Sequence, residues 1–174
     1  MLFVNKLKVL TLMTCLMLVG QGFAMDSWIA HMSTETPEQT GDCYQIKSAA
    51  DLAWYADFVN KQAEKAESCA ELQSDIDLSG NFWVPISYTG KRHKVNFNGN
   101  GFIIRNLYIS AQNLMDKYGQ QAAQNLGLIG AFQGHVQNVI LENVEIYAYG
   151  NGYVSGNSNY EQSPLSIGTV VGWQ

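Results

Sequence analysis

From Leu72 onward the sequence is a succession of short strand-forming runs, each cut by Asn or Gly. Lys94-Val95-Asn96-Phe97 leads into Asn98-Gly99-Asn100-Gly101, a tight-turn signal, and Phe102-Ile103-Ile104-Arg105-Asn106-Leu107-Tyr108-Ile109 follows. Val136-Gln137-Asn138-Val139-Ile140-Leu141-Glu142-Asn143-Val144-Glu145-Ile146 repeats the habit. Asn suits such corners because it tolerates left-handed backbone and its side chain can bond neighbouring peptide groups. The runs also recur. Asn106-Leu107-Tyr108-Ile109 resembles Asn138-Val139-Ile140-Leu141, 32 positions on, and Gly127-Leu128-Ile129-Gly130 resembles Thr169-Val170-Val171-Gly172, 42 positions on. Self-similarity in this range points to stacked supersecondary units. The expected fold is therefore mainly β: a right-handed parallel β-helix, each strand laid about 4.8 Å from the last, with apolar rows inside and Asn ladders at its corners. A β-sandwich of short strands is the competing architecture, and the repeat spacing favours the β-helix.

The segment before these runs has another period. Leu52, Tyr55, Ala56, Val59 and Ala63 recur at helical spacing, with Asn60, Lys61, Glu64 and Lys65 off that stripe. Ser48 stands as an N-cap, with Asp51 three residues later as its acidic partner. This predicts one capping α-helix near 48–66, between a short strand at Cys43-Tyr44-Gln45-Ile46 and a strand at 72–78. Trp83-Val84-Pro85-Ile86 is a further short apolar run. Residues 25–42, which include Thr34-Glu35-Thr36-Pro37-Glu38-Gln39-Thr40-Gly41, read as a flexible polar leader, and 43–174 as one β-helix domain. About 150 residues suit one domain.

Residues 1–24 have the order of a secretory signal. Lys6 and Lys8 precede an uncharged apolar run from Val9 to Gly20, and Gly22-Phe23-Ala24 supplies small residues two apart. The run is shorter than the roughly 20 residues that cross a bilayer, which argues against an uncleaved anchor. Cys15 lies inside the run, so it does not read as a lipidation site. Cleavage before Met25 is expected, with the product secreted or on the cell surface and no membrane span remaining. Two cysteines are then left, Cys43 and Cys69. An exported chain with an even count can close a bridge, and these two flank the helix, each next to a strand. Free thiols, or pairing with another chain, are the competing readings.

Removing 1–24 takes away two lysines and no acid, so the formal charge falls from −5 to −7. A nucleic-acid partner needs a basic footprint, which such a chain lacks. Lys91-Arg92-His93-Lys94 is a local basic cluster that reads as a solvated turn, with a contact for an acidic glycan as the subordinate reading. His31, His93 and His135 show no metal-ligand spacing, no Ser has a nucleophile-elbow setting, and no cofactor is implied. Asp75 and Asp77, two apart on an expected strand, share a face; they could serve as an acid/base or calcium pair. Corner hydrogen bonding before Ser79-Gly80 is the simpler role, and calcium needs roughly six or more oxygen ligands. The segment 147–163 sets Tyr147, Tyr149, Tyr153 and Tyr160 among Gly, Asn and Ser. It reads as a long loop that either presents tyrosines to a sugar or protein partner or folds back over its own domain.

Together these residues resemble bacterial surface proteins that carry the GLUG motif, with the segment that usually precedes it. The likeness runs through Ile46-Lys47-Ser48-Ala49-Ala50-Asp51-Leu52, Val59-Asn60, 72–78 and Trp83-Val84-Pro85-Ile86. It continues through Phe97-Asn98-Gly99-Asn100-Gly101, where Phe-Asp-Gly-Asn-Gly is commoner, and Ile104-Arg105-Asn106-Leu107-Tyr108-Ile109. Ile167-Gly168-Thr169-Val170-Val171-Gly172-Trp173 resembles the motif itself, with Thr169 where a second Gly is usual; Leu126-Gly127-Leu128-Ile129-Gly130 is an earlier variant. The resemblance covers about 130 residues through the order of its parts. It implies an exported, adhesin-like module, a repeated β-helical region without catalytic residues; taken with the tyrosine-rich segment, the expectation is a non-enzymatic module with a glycan or a host or neighbour-cell surface protein as partner. Members continue through many more repeats, so a chain stopping at Gln174 reads as a fragment or the start of a longer product. The alternatives are a carbohydrate-active β-helix enzyme, a polysaccharide lyase or glycoside hydrolase using Asp75 and Asp77, or a scaffold fragment of a larger secreted peptidase.

Overall fold

The computed structural model describes residues 25–64, 66–91, 93–148, 166–168 and 170–173. The expected signal at 1–24 lies outside them. Strands β1 (Gln39–Thr40) and β2 (Cys43–Ile46) precede helix α1 (Ala49–Lys61). Strands β3 (Glu67–Leu72), β4 (Ile76–Asp77), β5 (His93–Asn98), β6 (Ile103–Arg105) and β7 (Tyr108–Ser110) follow, then helix α2 (Ala111–Tyr118). After it come β8 (Asn125–Leu126), β9 (Ile129–Gln137), β10 (Ile140–Glu142), β11 (Glu145–Tyr147), β12 (Ser166–Ile167) and β13 (Val171–Trp173). Two short 3-10 turns, Trp28–His31 and Gln120–Ala123, complete the set.

The largest sheet has the order β1-β2-β3-β5-β9-β13, with β10-β6-β4, β11-β7 and β12-β8 beside it. All these pairs are parallel except β1-β2, which is antiparallel. This corrects the expected architecture. The class is mixed α/β rather than a mainly β, right-handed parallel β-helix with one capping helix. The largest sheet mixes parallel and antiparallel pairs, and a second α-helix interrupts the strands. The helix the sequence reading missed is α2: Ser110 caps it by accepting from Asn113 N–H (3.3 Å), and Ala111 and Leu114 are its buried residues. Ala111, Leu114 and Tyr118 recur toward the core at helical spacing, but the helix is only eight residues long, shorter than the window over which such a period is read.

Local chemistry explains the elements that were expected. Ser48 Oγ accepts from Asp51 N–H (3.1 Å), and Asp51 Oδ2 accepts from Lys47 N–H (3.1 Å), closing the first turn of α1 from both sides. Leu52, Ala53, Tyr55, Ala56 and Val59 are buried beneath it. Asn60, expected off the apolar stripe, is buried too. Its Nδ2 donates to Pro85 O (3.1 Å) and its Oδ1 accepts from Tyr88 N–H (2.9 Å), so it ties the helix to the 83–88 segment. The helix stops at Lys61, and Ala63 is exposed beyond it.

Ala70, Leu72, Ile76, Val95, Phe97 and Ile104 point into one core with Trp83, whose Nε1 donates to Leu128 O (3.0 Å). Full burial of each large apolar side chain contributes about 1.5–3 kcal/mol. Trp83-Val84-Pro85-Ile86 is buried but is not a strand; Ile86 makes a single bridge to Ile129. Residues 26–33 of the expected leader are also packed. Ser27 Oγ meets Tyr118 OH (2.6 Å), Trp28 Nε1 donates to Leu78 O (2.9 Å), and Asp26 pairs with Lys117.

The repeats stack in definite register. Val171 lies opposite Ile129, the 42-residue offset read from the sequence. The other repeat is shifted: Ile103 pairs with Ile140 and Tyr108 with Glu145, so the partner of the Asn106 corner is Asn143 rather than Asn138. Asn106, Asn138 and Asn143 all adopt positive φ (60°, 53° and 51°). Sequence likeness alone could not choose between the last two. The Asn100-Gly101 turn does not make a hairpin. Both residues have positive φ, and they send the chain from β5 into a different sheet at β6.

Candidate functional site

Cys43 and Cys69 are directly opposed on β2 and β3 and joined by a disulfide, with their Cα atoms 4.4 Å apart. Both lie half-exposed on the outward side of the strands, in one row with Asn96 and His135.

The expected carboxylate pair makes corner hydrogen bonds. Asp75 precedes β4 instead of sharing a strand face with Asp77. Its Oδ1 accepts from Ile103 N–H (3.0 Å), and its Oδ2 binds Arg105 Nη2 (3.0 Å). Asp77 Oδ1 accepts from Ser79 N–H (2.9 Å) and from Asn106 Nδ2 (2.9 Å). Asn143 Nδ2 in turn donates to Asn106 Oδ1 (3.2 Å), which makes a column Asp77–Asn106–Asn143. The Asn106 and Ser79 donors hold the Asp77 carboxyl below the usual carboxylate range. Among the described residues no group of three or more His, Cys, Asp or Glu could hold a metal ion. No described helix is long and apolar enough to cross a membrane.

Of the four tyrosines, Tyr147 ends β11, well exposed, with its ring 5.6 Å from that of Tyr108. Its hydroxyl donates to Glu145 Oε2 (3.3 Å), and the Glu145 charge pushes the phenol up. Tyr149, Tyr153 and Tyr160 lie outside the described residues, as does Arg92 of the basic cluster.

His93 in that cluster is no surface residue. It opens β5 fully buried. Ser87 Oγ donates to Ala131 O (2.5 Å) and so accepts from His93 Nδ1–H (2.9 Å), an assignment made from the bonding network. Ser87 is buried, holds φ 59°, and has its one proton committed to a carbonyl. The pair therefore locks the 87–93 turn rather than forming a nucleophile and base.

An open aromatic surface lies on α1, where the sequence reading named no site. Trp54 and Phe58, one turn apart, stack with ring centroids 5.1 Å apart and planes 10° from parallel. Tyr44 of β2 meets each of them at 5.2 Å in a tilted or edge-on geometry. All three rings are half-buried. Trp54 and Phe58 line a shallow groove of about 270 Å³ with Asp57, Lys61, Gln62 and Ala63. Asp57 and Lys61 form an ion pair (2.6 Å) in which the lysine stays largely exposed. The signal that could have found this surface is the aromatic pair at i and i+4, immediately beside the buried stripe.

Comparison of the chain with protein-family models, curated proteins and solved structures gives no match.

Proposed function

We propose that the chain is an exported, non-enzymatic module of the surface or adhesin type, akin to the GLUG-bearing secreted proteins it resembles. The observation that carries this reading is the Cys43–Cys69 disulfide between directly opposed residues. Such bonds persist in oxidising compartments and are rare in the cytoplasm. The signal-like order of residues 1–24 argues in the same direction. The non-enzymatic part rests on Asp75 and Asp77, whose oxygens serve Ile103, Arg105, Ser79 and Asn106.

Expression with the native leader tests it. Mass spectrometry of released or surface-bound protein should give a chain beginning at Met25 with no free thiol. That material should turn over neither polyuronates nor neutral glycans. A Met1-bearing product retained in the cytoplasm or membrane would reject export. Turnover abolished by Asp75→Asn or Asp77→Asn would reject the non-enzymatic reading.

A further inference from the structure

The groove on α1 has three properties that together narrow its occupant. Its lining carries two aromatic side chains, Trp54 and Phe58, whose rings stack on each other and pack against Tyr44 behind them. Its rim mixes acceptor and donor, with the Asp57 carboxylate, the Lys61 ammonium and the Gln62 side chain along it. Its charge is balanced, because Lys61 and Asp57 neutralise each other.

We infer that this groove is a binding site for a neutral sugar residue, a terminal or exposed hexose of a glycan. A pyranose ring has an apolar face of C–H groups that packs on an aromatic ring, and a rim of hydroxyls that both donate and accept. The groove offers the complement of each. Size agrees: about 270 Å³ lies just under the 300–1,000 Å³ of pockets for drug-sized ligands, which gives room for a ring rather than a long chain. A folded protein partner needs about 800 Å² of surface on each side, far beyond what this groove offers. An acidic glycan is disfavoured by the neutral rim and by a chain whose formal charge is −7 once residues 1–24 are removed. The assignment rests on the exported-module reading and supplies it with a ligand class.

The test uses the processed, disulfide-bonded chain on an array of neutral and acidic oligosaccharides, followed by titration with gluco-, manno- and galacto-oligosaccharides read by tryptophan fluorescence. Neutral glycans should bind. Trp54→Ala should weaken binding about two- to tenfold, the worth of an aromatic contact of this kind. Phe58→Ala should also weaken it. Lys61→Ala removes only one exposed ion pair from the end of α1, and should weaken binding severalfold while the melting temperature falls by no more than about 2 °C. This separates a contact to ligand from damage to α1. An array with no neutral-glycan signal overturns the inference, as does a signal that none of the three variants changes, or a preference for acidic glycans. If protein recovered outside the cell, processed at Met25, binds no neutral glycan, the groove assignment falls and the export reading stands. Retention of unprocessed protein inside the cell removes the reading itself.

Discussion

Replacing both cysteines, as Cys43→Ser with Cys69→Ser, isolates what the bridge contributes. The two residues are 26 apart in sequence, so on the chain-entropy model their cross-link stabilises by about 3.5 kcal/mol. Little else is lost with them. Both side chains lie half-exposed on the outward side of β2 and β3, away from the core rows formed by Ala70 and Leu72. The strands keep their four-residue parallel register, and β1 still covers the other edge of β2. A loss close to the full chain-entropy value is therefore expected. For a domain of this size it corresponds to a fall in melting temperature of about 7–14 °C. Thermal unfolding followed by circular dichroism, with and without reductant, measures it. Reduced wild type should melt with the double variant, and reductant should leave the variant unchanged. A fall of less than about 2 °C would mean that the unfolded chain is not restrained by the bridge, and would refute the reasoning. Two free thiols per chain in denatured, unreduced protein would remove its premise.

At Gly99 an added Cβ would lie 2.2 Å from Asn138 O and 2.8 Å from Val139 Cα, both backbone atoms. Gly99→Ala should cost about 2–3 kcal/mol in urea unfolding, and a neutral result would show that the two corners are not in close contact. Asn106 combines φ 60° with bonds to Asp77 and Asn143. Asn106→Ala should cost about 2 kcal/mol and Asn106→Gly about 1 kcal/mol, because glycine avoids the left-handed strain but not the lost bonds; equal costs would contradict that division. His93 is held below its ordinary pKa, first by burial and then by Lys91, with the Gln62 carbonyl opposing. A His favoured neutral in the folded state contributes stability that is present above about pH 6.5 and is lost as pH falls from there through the lower, folded value. Asp26, Glu38 and Asp77, whose pKa values are lowered, lose their contributions only at pH below about 4.5. Melting temperature should accordingly drop as pH falls below about 6.5 in wild type and much less in His93→Asn; parallel profiles would exclude His93 as the cause.

Much of the N-terminal half was legible because its signals are local. Ser48 with Asp51, the apolar spacing from Leu52 to Val59, and two cysteines flanking a helix each state their structure within a few residues. The repeats were legible as repeats, and the 42-residue offset is the one the strands use. What failed depends on partners distant in sequence. Two Asn corners, Asn138 and Asn143, have the same chemistry and nearly the same φ, and only the pairing of β6 with β10 decides which one meets Asn106. Asn60 reads as a surface residue until the 83–88 segment arrives to use both ends of its amide. His93 sits in a cluster of cations, and its burial follows from the alternation of β5, whose inward residues are His93, Val95 and Phe97. Helix α2 was missed because it is only eight residues long and directly follows a strand-forming run, so Ala111, Leu114 and Tyr118 cover too short a stretch to separate a helical period from its surroundings. The mixed class follows from α2 and from the antiparallel β1, neither of which an analysis of repeats can detect. The Trp54–Phe58 surface was overlooked for the opposite reason, since aromatic residues next to a buried stripe read as its margin.

The corner column also bears on chemistry. Leu78, Asn106 and Asn143 follow the aligned ends of β4, β6 and β10. Asn143 can donate to Asn106, but Leu78 gives Asn106 no acceptor in the next position. Asp77 supplies it from one residue before, and takes the Ser79 N–H as well. A carboxylate suits this end of the column because it only accepts, and two donors converge on a single oxygen. Those same donors lower the Asp77 pKa, so the group is ionised at neutral pH. A general acid for glycoside or uronate chemistry needs the opposite shift, a carboxyl raised until it keeps its proton. Asp75 is likewise engaged, with Arg105 bound to one oxygen and the Ile103 amide to the other. The features that make Asp75 and Asp77 look like a catalytic pair in sequence, two carboxylates two residues apart before a Ser-Gly turn, are the features a corner of this kind requires.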